Sequence, residues 1–169
     1  HRIVHNPPAY QHPQQAINRD DKRSYFHLST FYQQFRMNHS HLSGVLRAAA
    51  GRRGYTVYTG SDDRMPQTVA AYPAAWLSPM KLLSSDGRSH GTAVYEASVR
   101  LMRHGHRLTP DAEQAARCRM EEQLIDLFTE LSGDERVIAV ERLTVRPDTL
   151  SRPDGCVAMT AVARIVTHF

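Results

Sequence analysis

The chain has 169 residues, 41% of them hydrophobic and 22% charged, with a formal net charge of +4. That length supports one substantial hydrophobic core and leaves little room for two. No run approaches the ~20 apolar residues of a membrane helix and the first residues lack the apolar stretch of a secretory signal, which excludes a helical membrane protein and predicts a soluble protein of the cytoplasm.

The charge is unevenly spread. Residues 1–36 hold five basic side chains (Arg2, Arg19, Lys22, Arg23, Arg36) against two acidic ones, whereas residues 37–169 hold sixteen against fifteen. A nearly neutral body makes the basic isoelectric point a weak argument for nucleic acid.

From His1 to Arg23 the chain contains three prolines and few aliphatic residues, a composition that buries too little apolar surface to offset its ordering entropy. Residues 1–36 are therefore read as a flexible or draped segment and residues 37–169 as a single domain. Within the segment, Tyr25, Leu28, Phe31, Tyr32 and Phe35 recur at helical spacing behind Ser24, a surface suited to docking on the body or on a partner.

The domain begins with a helical stripe of Leu42, Val45, Leu46 and Ala49, opened by Ser40 and closed near Gly51 or Gly54. Tyr55 to Thr59 alternates as a short strand, and Gly60-Ser61-Asp62-Asp63 is turn chemistry. Ala74 to Leu83 reads as a second strand, in which Pro79 marks an edge or a bulge because it donates no ladder hydrogen bond. Thr92 to His104 is the clearest strand: Ala93, Tyr95, Ala97, Val99 and Leu101 share one face, and Thr92, Glu96, Ser98 and Arg100 share the other. The loop from Ser84 to Gly91 joins these two strands as a hairpin.

Thr109-Pro110-Asp111 starts a second helix with a capping hydroxyl, a proline whose missing N–H is harmless there, and an acid at the positive dipole end. Ala116, Met120, Leu124, Leu127, Phe128 and Leu131 give it an apolar face, and Gly133 supplies the stop. Arg136 to Val145 and Cys156 to Phe169 close the chain as a hairpin around the loop from Pro147 to Gly155. The order α-β-β-β-α-β-β predicts an α+β two-layer domain, two helices on a mostly antiparallel sheet of four to five strands.

The search for chemistry finds no familiar catalytic pattern. No phosphate-binding glycine motif, Gly-x-Ser-x-Gly elbow, Cys-x-x-Cys or His-Glu-x-x-His occurs, so no catalytic residue, cofactor or metal is expected. His39 with His41, and His104 with His106, read as loop and cap histidines, and Cys118 and Cys156 as reduced core thiols.

The candidate residues are instead those of an interface. Glu122, Asp126 and Glu130, spaced four apart, form an acidic stripe that would cost an isolated helix a few tenths of a kcal/mol per pair unless it meets a basic surface on a neighbouring molecule. Arg47, Arg52 and Arg53 at the end of the first helix, and Arg100 and Arg103 on the long strand, are the basic candidates. Trp76 is the lone tryptophan, with core packing as its default role and an interface anchor as the alternative.

The order of elements resembles the small tail-completion proteins of tailed bacteriophages, the tail terminators and head–tail joining proteins. The residues carrying the likeness are the strand entry from Tyr72 to Pro79, the hairpin to His104, the helix from Thr109 to Leu131 and the closing hairpin. The resemblance covers about residues 39–169 and implies a non-catalytic ring of several copies with other structural proteins as partners, located in a virion or the host cytoplasm. The alternatives are a nucleic-acid-binding module using the basic first segment with Arg47, Arg52 and Arg53, and an enzyme whose site the motifs do not reveal.

Overall fold

The computed structural model describes residues 38–87, 91–148 and 155–169. The expectations for residues 1–36, including the aromatic stripe from Tyr25 to Phe35, lie outside the described residues. Helix α1 runs through residues 38–52, so it contains Ser40 instead of starting there, and Asn38 donates its side-chain amide to the carbonyl of His168 at 3.0 Å. Its end follows the glycine signal closely. Gly54 adopts φ +83°, Gly54 N–H donates to Gly51 and Tyr55 N–H to Ala50, a paired closure that needs a left-handed residue.

Six strands follow: β1 (Thr56–Thr59), β2 (Ala74–Leu77), β3 (Lys81–Asp86), β4 (Thr92–Arg103), then β5 (Val137–Pro147) and β6 (Val157–His168) after helix α2 (Pro110–Ser132). The domain is α+β: two helices on an open, mixed sheet of order β1-β2-β4-β6-β5, with β3 also paired to β4. Two details differ from the sequence expectation. The single strand predicted from Ala74 to Leu83 is two, because the chain breaks at Ser78-Pro79-Met80 and both pieces pair antiparallel to β4, β2 with Leu77–Ala74 opposite Val99–Met102 and β3 with Lys81–Asp86 opposite Glu96–Thr92. A proline without an N–H supplies a physical reason for the break. In addition, β1 lies parallel to β2, the one parallel pair of the sheet.

α2 begins as its sequence requires, with the Thr109 hydroxyl accepting from Ala112 N–H at 3.3 Å. Its buried residues, Ala116, Met120, Leu124, Leu127, Phe128 and Leu131, pack over β5 and β6. With Leu42, Leu46 and Ala49 of α1 they meet the alternate residues Ala93 to Leu101 of β4 and Val157 to Ile165 of β6. The other sheet face is polar over much of its area, as expected for an antiparallel sheet with one wet side. At its β1–β2 corner, however, a second apolar cluster of Val69, Ala74, Trp76, Met102 and Ala158 lies under Met65 and Tyr72 of the connection between β1 and β2.

Candidate assembly surfaces

The residues singled out in the sequence fall into three settings. Trp76 is 5% exposed at the centre of the second cluster, a setting that fits its core role, and its indole N–H has no hydrogen-bond acceptor among the described residues. Gly60 lies against it so closely that a Cβ there would stand 2.9 Å from Cζ2 of the ring.

The basic candidates are mostly engaged within their own chain. Arg53 donates to Glu130 at 2.8 Å and to the Ala49 carbonyl at 3.0 Å, and Arg52 donates to the other carboxylate oxygen of Glu130. The charge pairing expected between neighbouring molecules thus forms, for Glu130, inside one chain and ties the end of α1 to α2. A second tie reaches the α2–β5 turn, where His41 and Asp134 are 2.8 Å apart. The Arg53 hydrogen bond, with Arg52, holds the Glu130 carboxyl below its ordinary value. For Asp134 burial opposes the charge but is outweighed by the Arg136 backbone N–H and His41, so its carboxyl also titrates low.

Arg103 lies beside Tyr55, 5.6 Å from the ring centroid, and shares Gln123 with the Tyr55 hydroxyl. Arg100 is paired with Asp148 at 3.0 Å and donates to the Thr160 hydroxyl. Arg47 alone of the five is exposed with no ion pair among the described residues. These arginines do not form one free basic surface, because each compact element turns its cations to the nearest acid or ring.

Of the acidic stripe, Glu122 and Asp126 are exposed on α2 and Ile125 stands between them at 43% exposure. Cys118 is on the same exposed side, so it is a surface thiol and not a core one, while Cys156 is half-buried just ahead of β6; neither is in a disulfide. The histidines follow expectation in part: His39 and His41 lie within α1, whereas His104 and His106 are exposed in the loop between β4 and α2, where His104 packs against Tyr72 with ring centroids 4.6 Å apart. Among the described residues no group of three or more His, Cys, Asp or Glu side chains is placed to hold a metal, and no helix is long and apolar enough to cross a membrane.

On the polar sheet face a groove of about 550 Å³ is lined in part by Asp62, Lys81, Glu96, Arg100 and Arg146. Its charges are largely matched: Lys81 faces Glu96 at 3.4 Å, Arg100 is held by Asp148, and Asp62 accepts from Ser78. A field of one sign, as a nucleic-acid groove presents, is not what these residues build.

The feature that sequence reasoning missed lies at the sheet's two lateral edges. All six residues of β3 are exposed, with Leu82 at 49% and Leu83 at 43%, and on β5, at the opposite edge, Ile138 is 55% exposed. The adjacent leucines were the available signal. In a strand successive side chains point to opposite faces, so one of the pair had to leave the core.

Among solved structures, this fold is similar to the type 4 fimbrial biogenesis protein PilO from Pseudomonas aeruginosa (12% identity, TM-score 0.40, 92% of each chain covered). It is also similar to a chain of the virion of native gene transfer agent particle (14% identity, TM-score 0.46, 76% of this chain and 92% of that chain). At these scores neither likeness carries an argument about function. No protein-family model and no curated protein matches the chain.

Proposed function

We propose that this chain is a non-catalytic structural subunit that assembles head-to-tail with copies of itself, the kind of subunit that forms a ring completing a phage-like tail or joining it to a head. The observation that carries the reading is the pair of sheet edges, β3 and β5, each paired on one side only among the described residues, with Leu82 and Leu83 exposed on β3 and Ile138 on β5. Unpaired edges are association-prone, and a protein that stays monomeric blunts or covers them. Because the two edges differ, their contact is heterologous: it closes into a ring when the rotation between copies divides a full turn and extends as a filament when it does not. The exposed Glu122–Ile125–Asp126 patch on α2 has the composition of an apolar contact with a charged rim, a second surface for another structural partner.

Light scattering after size exclusion tests this reading. The expected result is a mass that is a multiple of the 19.1 kDa chain and falls on dilution. A strict monomer at millimolar concentration and low salt would overturn it.

A further inference from the structure

We infer that copies of this chain join by antiparallel pairing of β3 of one copy with residues 136–141 of the next, in the register Lys81 opposite Glu141 to Asp86 opposite Arg136. This rests on the head-to-tail reading above and names its interface.

The sheet's own rows set the register. Across β3, β4, β6 and β5 one row reads Lys81, Glu96, Arg164, Glu141, and the next reads Leu82, Tyr95, Ile165, Val140. At the far end Asp86 is opposite Thr92 and Thr92 opposite His168, whose N–H donates to the Arg136 carbonyl. Between these end rows each edge strand carries one extra residue, Leu83 in β3 and Ile138 in β5. Residues 81–86 and 136–141 therefore span the same rows, and six residues oppose six.

Placed edge to edge, the two strands complement each other. Lys81 meets Glu141 and Asp86 meets Arg136, so the sheet row Lys81–Glu96–Arg164–Glu141 continues its alternation of sign into the next copy. Leu82 and Val140 lie on the helix side, since their row partners Tyr95 and Ile165 belong to the core there. The neighbour's α2, which packs on β5, brings cover to a leucine that its own helices leave half exposed. The two bulge residues fall at neighbouring positions of the contact, since Leu83 faces Ala139 and Ser84 faces Ile138 in this register.

Direction and phase agree as well. Each adjacent pair from β3 through β4 and β6 to β5 is antiparallel, so β5 beside β3 of a copy turned the same way is antiparallel too, with both helix layers on one side. Hydrogen-bonded and non-hydrogen-bonded pairs alternate from strand to strand along a row. With four strands from edge to edge, β3 and β5 included, the outward N–H and C=O groups of β3 and β5 fall in phase.

The shape of the edge limits the contact to this stretch. β2 and β1 occupy the other half of β4, around Val99 to Met102, with β1 one strand further out than β3. β3 is thus a six-residue recess. Immediately after Glu141, β5 bulges again, with Arg142 at φ +52°, where a docked strand must turn aside from β1.

Cysteine cross-linking tests the register in the full chain carrying Cys118→Ser and Cys156→Ser. Under mild oxidation, a mixture of the Lys81→Cys chain and the Glu141→Cys chain should give a covalent dimer that neither chain gives alone, and Asp86→Cys with Arg136→Cys should do the same. Lys81→Cys with Ile138→Cys, three residues out of register, should give about tenfold less, because a disulfide needs Cα atoms about 4.4–6.8 Å apart. Equal or greater yield from the shifted pair would overturn the register. Light scattering of each mixture before oxidation separates the remaining cases: oligomers without cross-links refute this interface and leave self-assembly standing, and monomers refute both. Circular dichroism of each variant confirms the fold, and all five substituted edge residues lie at the sheet edges.

Discussion

Replacing Trp76 separates its two readings, core residue and interface anchor. The ring is 5% exposed among Val69, Ala74, Met102 and Ala158, so truncation to alanine removes nearly all of a buried indole. Large-to-small changes of this kind cost about 3–5 kcal/mol, a fall of roughly 10–20 °C in the midpoint of a domain this size. Phenylalanine should behave differently. It leaves a smaller cavity and removes the buried N–H that has no acceptor among the described residues, a group whose burial unpaired costs about 1–3 kcal/mol. The two terms largely cancel, and Trp76→Phe should cost less than about 1.5 kcal/mol. Urea unfolding followed by circular dichroism measures both, since the substitutions delete the only tryptophan fluorescence. The core reading fails if Trp76→Ala costs under about 1 kcal/mol while the oligomer dissociates.

Three further outcomes follow from the same geometry. Gly60→Ala should destabilise by about 1–3 kcal/mol, read by thermal unfolding, because its Cβ meets the wedged Trp76 ring. The lowered Glu130 and Asp134 carboxyls add stability above the unfolded carboxylate range, about pH 4, which is lost as pH falls through the lower folded values; Asp134→Asn should therefore lower stability at neutral pH and flatten the acid limb of a stability–pH profile. Leu82→Ala should weaken association, measured by dilution in light scattering, by about 3- to 12-fold, since roughly half of a leucine's burial energy of about 1.5–3 kcal/mol is left for a partner to supply.

Much of the fold is legible in the sequence where one local rule decides the outcome. The Thr109 cap, the alternation of Ala93 to Leu101 and the glycine closure of α1 each depend on a few neighbouring residues. The split at Ser78-Pro79-Met80 was half legible: proline forbids a ladder bond there, but nothing local says that the chain resumes on the same neighbour. Parallel pairing of β1 with β2 depends on where a long connection returns, and the same connection creates the second cluster around Trp76. The candidate site was harder to read. Arg52, Arg53 and Glu130 looked like complementary surfaces of two molecules because sequence spacing cannot distinguish contact within a chain from contact between chains. The match between residues 81–86 and 136–141 appears only when β4 and β6 set the rows between them.

Native mass spectrometry of the unmodified chain over rising concentration tests the central claim most directly. Unlike edges predict a series that includes odd members, with trimers and larger species growing in beyond the dimer and, where the rotation closes, one ring mass dominating. A chain that stays monomeric, or one that stops at a symmetric dimer, would contradict head-to-tail assembly.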